Sequence, residues 1–105
     1  MSNDEKYDKI FEEAKNGGRH AGTYRQAMEK SDAKLSKSIR SREQQIVEHQ
    51  DKINNPEKYI LGWNELLERE QKGNLRHWKN EIRNFTEQAE IEKRVREGRK
   101  NERNH

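Results

Sequence analysis

The chain has no cysteine and a single proline, Pro56. Disulfides and thiolate metal sites are therefore excluded, and folding is indifferent to redox compartment. Apolar residues are scarce as well. Hydrophobic residues make up 27% of the 105-residue chain, and Leu, Ile, Val and Phe together number 16. That is below the roughly one-fifth at which disorder becomes a concern. Charged residues reach 41%, but the signs nearly cancel at a net +3, so self-repulsion does not force the chain open. A thin core between helices follows, marginal on its own, to which a partner protein could add burial.

Other absences narrow the field. No run of about 18 apolar residues exists, so no membrane-spanning helix is expected. Residues 1–15 are charged, with three Lys against five acids, which predicts no secretory signal peptide. No strand pattern of alternating apolar and polar residues appears, and no internal repeat. There is no His-Glu-x-x-His run, no phosphate-cradling loop ending in Gly-Lys-Ser or Gly-Lys-Thr, and no Gly-x-Ser-x-Gly elbow. The four histidines stand 29, 28 and 28 residues apart. Neither a metal site nor a cofactor is expected.

What is present is helical periodicity. Tyr7, Ile10, Phe11 and Ala14 recur at helical spacing and predict a helix over 4–15, ended by Asn16-Gly17-Gly18. Thr23 is expected to cap a short helical turn over 24–30. Ser31 or Asp32 can cap a long helix over 32–54, with Leu35, Ile39, Ile46 and Ile53 on one seam interrupted by Arg42 and His49. Pro56 stops it, because proline lacks a donor and pushes Asn55 out of the helical region. Trp63, Leu66 and Leu67 suggest a brief helix through about Gln71, broken at Lys72-Gly73-Asn74. A second long helix is predicted over 74–97, with Leu75, Trp78, Ile82, Phe85 and Ala89 on one face. The expected fold is all-α: an antiparallel hairpin of two long helices with short flanking helices. The expected division is an N-terminal helix over 1–17, a helical domain over 18–97 and a frayed basic tail over 98–105.

Chemistry is expected first at Gly17-Gly18-Arg19-His20-Ala21-Gly22-Thr23-Tyr24. Glycines there let the backbone approach a ligand closely. A neutral imidazole at His20 suits proton transfer from a ribose hydroxyl, and Arg19 offers parallel donors to a phosphate, with Tyr24 or Arg25 assisting. The alternative is an exposed loop histidine beside a helix cap. His49 and Arg42 share the apolar seam: either His49 is a satisfied core imidazole, or the two line a cleft that contacts substrate. His77 shares a polar face with Glu81, Asn84 and Gln88, so Glu81 could orient it; an ordinary solvent-exposed pair is the alternative. Residues 93–105 carry six Lys or Arg against two Glu. Such a tail can touch nucleic acid, or simply complement a helix dipole.

Several segments carry a resemblance. They are Gly18-Arg19-His20-Ala21-Gly22-Thr23-Tyr24, Leu35-Ser36-Lys37-Ser38-Ile39-Arg40-Ser41, the run from Glu48 to Ile60 that contains Asn54-Asn55-Pro56-Glu57-Lys58-Tyr59, and His77-Trp78-Lys79-Asn80-Glu81-Ile82. Together, over about residues 18–97, they resemble small C-terminal toxin modules of bacterial polymorphic toxin systems. The resemblance implies a helical domain delivered into a rival cell and neutralised by a dedicated, acidic immunity protein. Many such modules are nucleases acting on RNA. Carried onto this sequence, His20 and His77 become the catalytic candidates, with Arg19 and Glu81 assisting. The chain begins at Met1 without a delivery region, which suggests either a module detached from a larger secreted parent or a free-standing cytoplasmic product. Two other readings stand beside it: a non-catalytic helical interaction protein, such as a coiled-coil homodimer or adaptor, and a nucleic-acid binder without chemistry.

Overall fold

The computed structural model describes residues 3–103, all-α and without a strand among them. Four helices follow one another: α1 (Asn3–Lys15), α2 (Ala21–Glu29), α3 (Asp32–Asn54) and α4 (Glu68–Arg103). Two short 3-10 turns, Pro56–Lys58 and Trp63–Glu65, connect α3 to α4. The backbone is elongated, 59 × 27 × 24 Å, with a radius of gyration of 16.8 Å. A compact chain of this length would measure about 13 Å. The excess is α4, whose 36 residues extend roughly 54 Å.

Local chemistry sets the helix ends. Gly17 (φ 90°) closes α1: its N–H donates to Ala14 O at 3.3 Å, and the Gly18 N–H donates to Glu13 O at 2.8 Å. These two bonds form a Schellman motif, which needs a left-handed residue at this position. His20 also has a left-handed backbone (φ 66°, ψ 20°) and stands at the N-cap of α2. The helix therefore begins three residues before the expected 24, and Thr23 lies inside it. Ser31 caps α3, its side chain accepting from Lys34 N at 3.3 Å. Beyond Asn55 and Pro56 the connector is tied down by Asp51, which accepts from Lys58 Nζ (3.0 Å), Asn55 Nδ2 (2.8 Å) and the Tyr59 hydroxyl.

α3 and α4 run antiparallel, and facing pairs fix their register. His49 meets Phe85 with ring centroids 5.5 Å apart, Arg42 meets Glu92, and Leu35 and Ile39 join Val95 in one buried cluster with Ala27. Trp63 stacks on Trp78 (6.0 Å) where the connector meets α4. α1 and α2 cover the opposite end, with Phe11 edge-on to Tyr24 at 5.7 Å and both packed against the Val95 cluster. Arg94 of α4 reaches α1, bonding Asp8 at 3.0 Å and lying over the Tyr7 ring at 6.0 Å.

α4 differs from expectation at both ends. Lys72-Gly73-Asn74 does not break it, and no separate helix covers 63–71. An interior glycine costs a helix about 1 kcal/mol. Here the turn around Gly73 is held from both sides: Gln71 Nε2 donates to Trp63 O at 2.8 Å and Trp78 stacks on Trp63. The expected frayed tail is helical through Arg103, past Gly98. Arg99 donates to Asp32 (3.1 Å) and to Ala27 O and Met28 O at the end of α2 (3.0 Å each), while Arg103 donates to Asp32 at 2.7 Å. Two cations of the basic tail are thus spent on the fold. Residues 104 and 105 of that tail lie outside the described residues.

The core is small, so single truncations weigh heavily. Leu35 has no exposed surface. Leu35→Ala is expected to lower the unfolding free energy by about 2–4 kcal/mol, read as a lower urea midpoint at unchanged slope. Exposed Val47→Ala should shift that midpoint by no more than about 0.5 kcal/mol.

Candidate functional site

Two carboxylates on α4 are buried, Glu87 (6% exposed) and Glu92 (0%), and each draws basic groups from the preceding helices. Glu92 Oε1 accepts from Arg42 Nε at 2.6 Å. Its Oε2 accepts from the Ser38 hydroxyl at 2.5 Å, with Lys30 Nζ at 3.6 Å. Arg42 also donates to the Gln88 side chain at 2.6 Å. These groups lie between α2, α3 and α4, and Arg42 serves there as the counter-ion of a fully buried carboxylate. His49 is likewise a core residue: Nδ1 lies 2.8 Å from Gln45 O and the ring packs on Phe85.

Glu87 is the second centre. His20 Nε2 lies 2.8 Å from Glu87 Oε1, and Arg19 Nε donates to the same oxygen at 2.9 Å. Arg19 Nη2 donates to Asn84 Oδ1 at 2.6 Å. Burial pushes the Glu87 carboxyl upward, but the hydrogen bonds from His20 and then Arg19 outweigh it, and the net shift is downward. The carboxylate is thus ionised at neutral pH and can only accept, so Nε2 carries the proton of this pair. In a neutral ring the lone pair then sits on Nδ1. No buried side-chain nitrogen or oxygen among the described residues lacks a hydrogen bond. Nδ1, with no bonding partner among the described residues, therefore keeps some contact with solvent, although the side chain as a whole is only 9% accessible.

The left-handed backbone of His20 makes this contact possible. It turns the chain sharply between α1 and α2 and delivers the imidazole onto α4. Such a conformation is uncommon in any residue but glycine, with His among the side chains that tolerate it better than most. It is a strain that persists only where surrounding contacts hold it. Beside Glu87, Lys6, Tyr7, Lys79, Arg83 and Thr86 line a groove of about 230 Å³ between α1 and α4. A larger open hollow of about 690 Å³ on the outer side of α1 is lined by Asp8, Glu12 and Glu13 as well as Lys9 and Arg19, a poor balance for an anion.

The other expected site residues do not converge here. His77 is exposed and Glu81 half-buried, and no hydrogen bond joins them. His77 lies ten residues before Glu87, about 15 Å along the helix. The imidazole that α4 orients is thus the loop's own His20, through Glu87 instead of Glu81. Tyr24 is spent on Phe11, and Arg25 is exposed. No group of three or more potential metal ligands occurs among the described residues. No described helix is long and apolar enough to cross a membrane. The chain matches no protein-family model, no curated protein and no solved structure.

Glu87 and Glu92 were the residues that sequence reasoning missed. Glu92 had a signal, since an arginine on the α3 seam needs an acid on the facing helix; Glu87 had none.

Two predictions follow from these pairs. Arg42→Ala leaves the Glu92 charge buried without its main partner, and is expected to cost about 3–5 kcal/mol in urea unfolding, whereas Arg42→Met with Glu92→Met should recover most of that. Glu87, Asp32 and Asp51 all have carboxyls held below their ordinary values, Asp32 by Arg99 and Arg103, and Asp51, at about 2, by Tyr59, Lys58 and Asn55. A depressed folded-state value adds stability above the unfolded value of about 4, lost as pH falls. The melting temperature should therefore drop between about pH 4 and 2. Asp51→Asn should flatten that decline.

Proposed function

We propose that the chain is a toxin module that cleaves RNA without a metal, with His20 as the general base. The observation that carries this reading is the 2.8 Å contact between Glu87 Oε1 and His20 Nε2: a carboxylate there would hold the proton on Nε2 and leave Nδ1 as the acceptor. An imidazole oriented by a carboxylate is the usual construction of a general base. The resemblance over residues 18–97 points the same way, and it implies an acidic immunity protein as partner.

In this mechanism Nδ1 of His20 takes the proton of a ribose 2′-hydroxyl. The oxygen attacks the adjacent phosphorus, and the bond to the 5′-oxygen breaks. The products are a 2′,3′-cyclic phosphate and a 5′-hydroxyl, which takes its proton from solvent. Arg19 bonds Glu87 and Asn84 through Nε and Nη2. Its Nη1 remains to meet a phosphate oxygen, and nearly half of the side chain is accessible. His77 has no part in the step.

The test is cleavage of a fluorescent RNA by purified protein. His20→Asn keeps a residue that tolerates the left-handed backbone. It is expected to lower the rate by at least about 100-fold, with helical content by circular dichroism retained and the melting temperature lowered only in part, because Arg19 still pairs with Glu87. Wild-type activity in that variant would remove His20 from the chemistry.

One observation favours a second reading, a helical interaction protein. Leu61 is fully exposed, and Leu67 beyond it is 54% exposed, both in the α3–α4 connection. Light scattering that finds a stable homodimer, with no RNA cleavage and no effect of His20→Asn, would favour it.

A further inference from the structure

Arg69, Lys72, Arg76, Lys79 and Arg83 follow one another on α4 at steps of three, four, three and four, and all five are exposed. That alternation keeps side chains on one helix face. The five cations cover roughly 21 Å. The opposite face carries Trp78 and Phe85, which pack toward the connector and α3. Glu70 and Glu81 fall well off the line of cations. Lys72 alone of the five is in an ion pair, with the highly exposed Glu68 at 3.0 Å. At its far end the line enters the groove where Lys79 and Arg83 face Lys6 of α1, and the same groove is walled by Glu87, the partner of His20.

We infer that this stripe is a track for the phosphodiester backbone of a nucleic-acid strand, leading it to His20. The inference deepens the proposed function and rests on it for the destination, though not for the binding itself. Two observations choose this occupant over an acidic protein. The charges repeat at a near-constant interval of about 5 Å along a straight line, which suits a linear polyanion with one charge per nucleotide. They also run without an intervening acid on that face into a groove that Glu87, the partner of His20, helps to line. Where α1 and α2 pack on the later part of α4, its basic groups are consumed: Arg94 by Asp8 and Glu90, Arg99 by Asp32. Of the five cations before them, only Lys72 is in an ion pair.

The experiment compares three full-length proteins by fluorescence anisotropy over a salt series, with a 12-nucleotide single-stranded RNA and the corresponding duplex. The first is wild type. The second is Arg76→Gln with Lys79→Gln and Arg83→Gln, and the third is Lys34→Gln with Lys37→Gln and Arg40→Gln, which removes the same charge from exposed positions of α3. Wild type should bind, with affinity falling linearly in log salt. The stripe variant should lose roughly tenfold or more in affinity and flatten that slope by about 2, whereas the α3 variant should stay near wild type. The single-strand and duplex arms tell which form the track holds. No binding by wild type, equal loss in both triple variants, or tighter binding of polyglutamate than of RNA would each overturn the inference. Stripe-dependent binding without any cleavage would leave the track standing and defeat the catalytic reading alone.

Discussion

Glu92 is sealed between the two long helices, and α3 comes to it with a guanidinium, a hydroxyl and, from just before its start, an ammonium group. A chain with so few apolar residues cannot fix the register of a hairpin by hydrophobic contacts alone. A one-turn slip of α3 along α4 would strand the buried Glu92 carboxylate without Arg42 and Ser38. The penalty for that is several kcal/mol. The Arg42–Glu92 layer therefore specifies one alignment, and the placement of Trp63 on Trp78 and of Leu35 beside Val95 follows from it.

The second buried carboxylate works in the same way at a different joint. Glu87 gathers Arg19 and His20 from the bend between α1 and α2 and fastens the bend to α4. Structure and candidate chemistry thus depend on one group. The carboxylate that holds the loop down also decides which imidazole nitrogen keeps its proton. The exposed stripe on α4 runs toward the groove that Glu87 walls.

Much of this architecture was legible in the sequence. The limits of α1 and α3 could be read from Gly17, Ser31 and Pro56 because each acts through its own backbone. The glycines of α4 were misleading for the opposite reason. Gly73 and Gly98 weaken a helix locally, but Trp63, Gln71 and Asp32 stabilise it from elsewhere, and such contacts have no local signature. His20 and Arg19 could be singled out by residue type and by their glycine-rich surroundings. Their partner could not, since Glu87 is one of many acids in a charged helix and only the folded register distinguishes it. His77 and Glu81 had attractive spacing on a single face, and spacing within one helix says nothing about what the other helices bring to it.

Among the described residues of α1 only Ala14 is fully buried, and its contacts include the Phe11–Tyr24 pair and the reach of Arg94 to Asp8 and Tyr7. Few buried apolar contacts mark the N-terminal helix as the element expected to open before the hairpin. Each such opening strips one wall from the cationic groove while Glu87 and His20 stay clasped. The molecule thereby acquires a natural order of amide exchange, outer helix first and hairpin last.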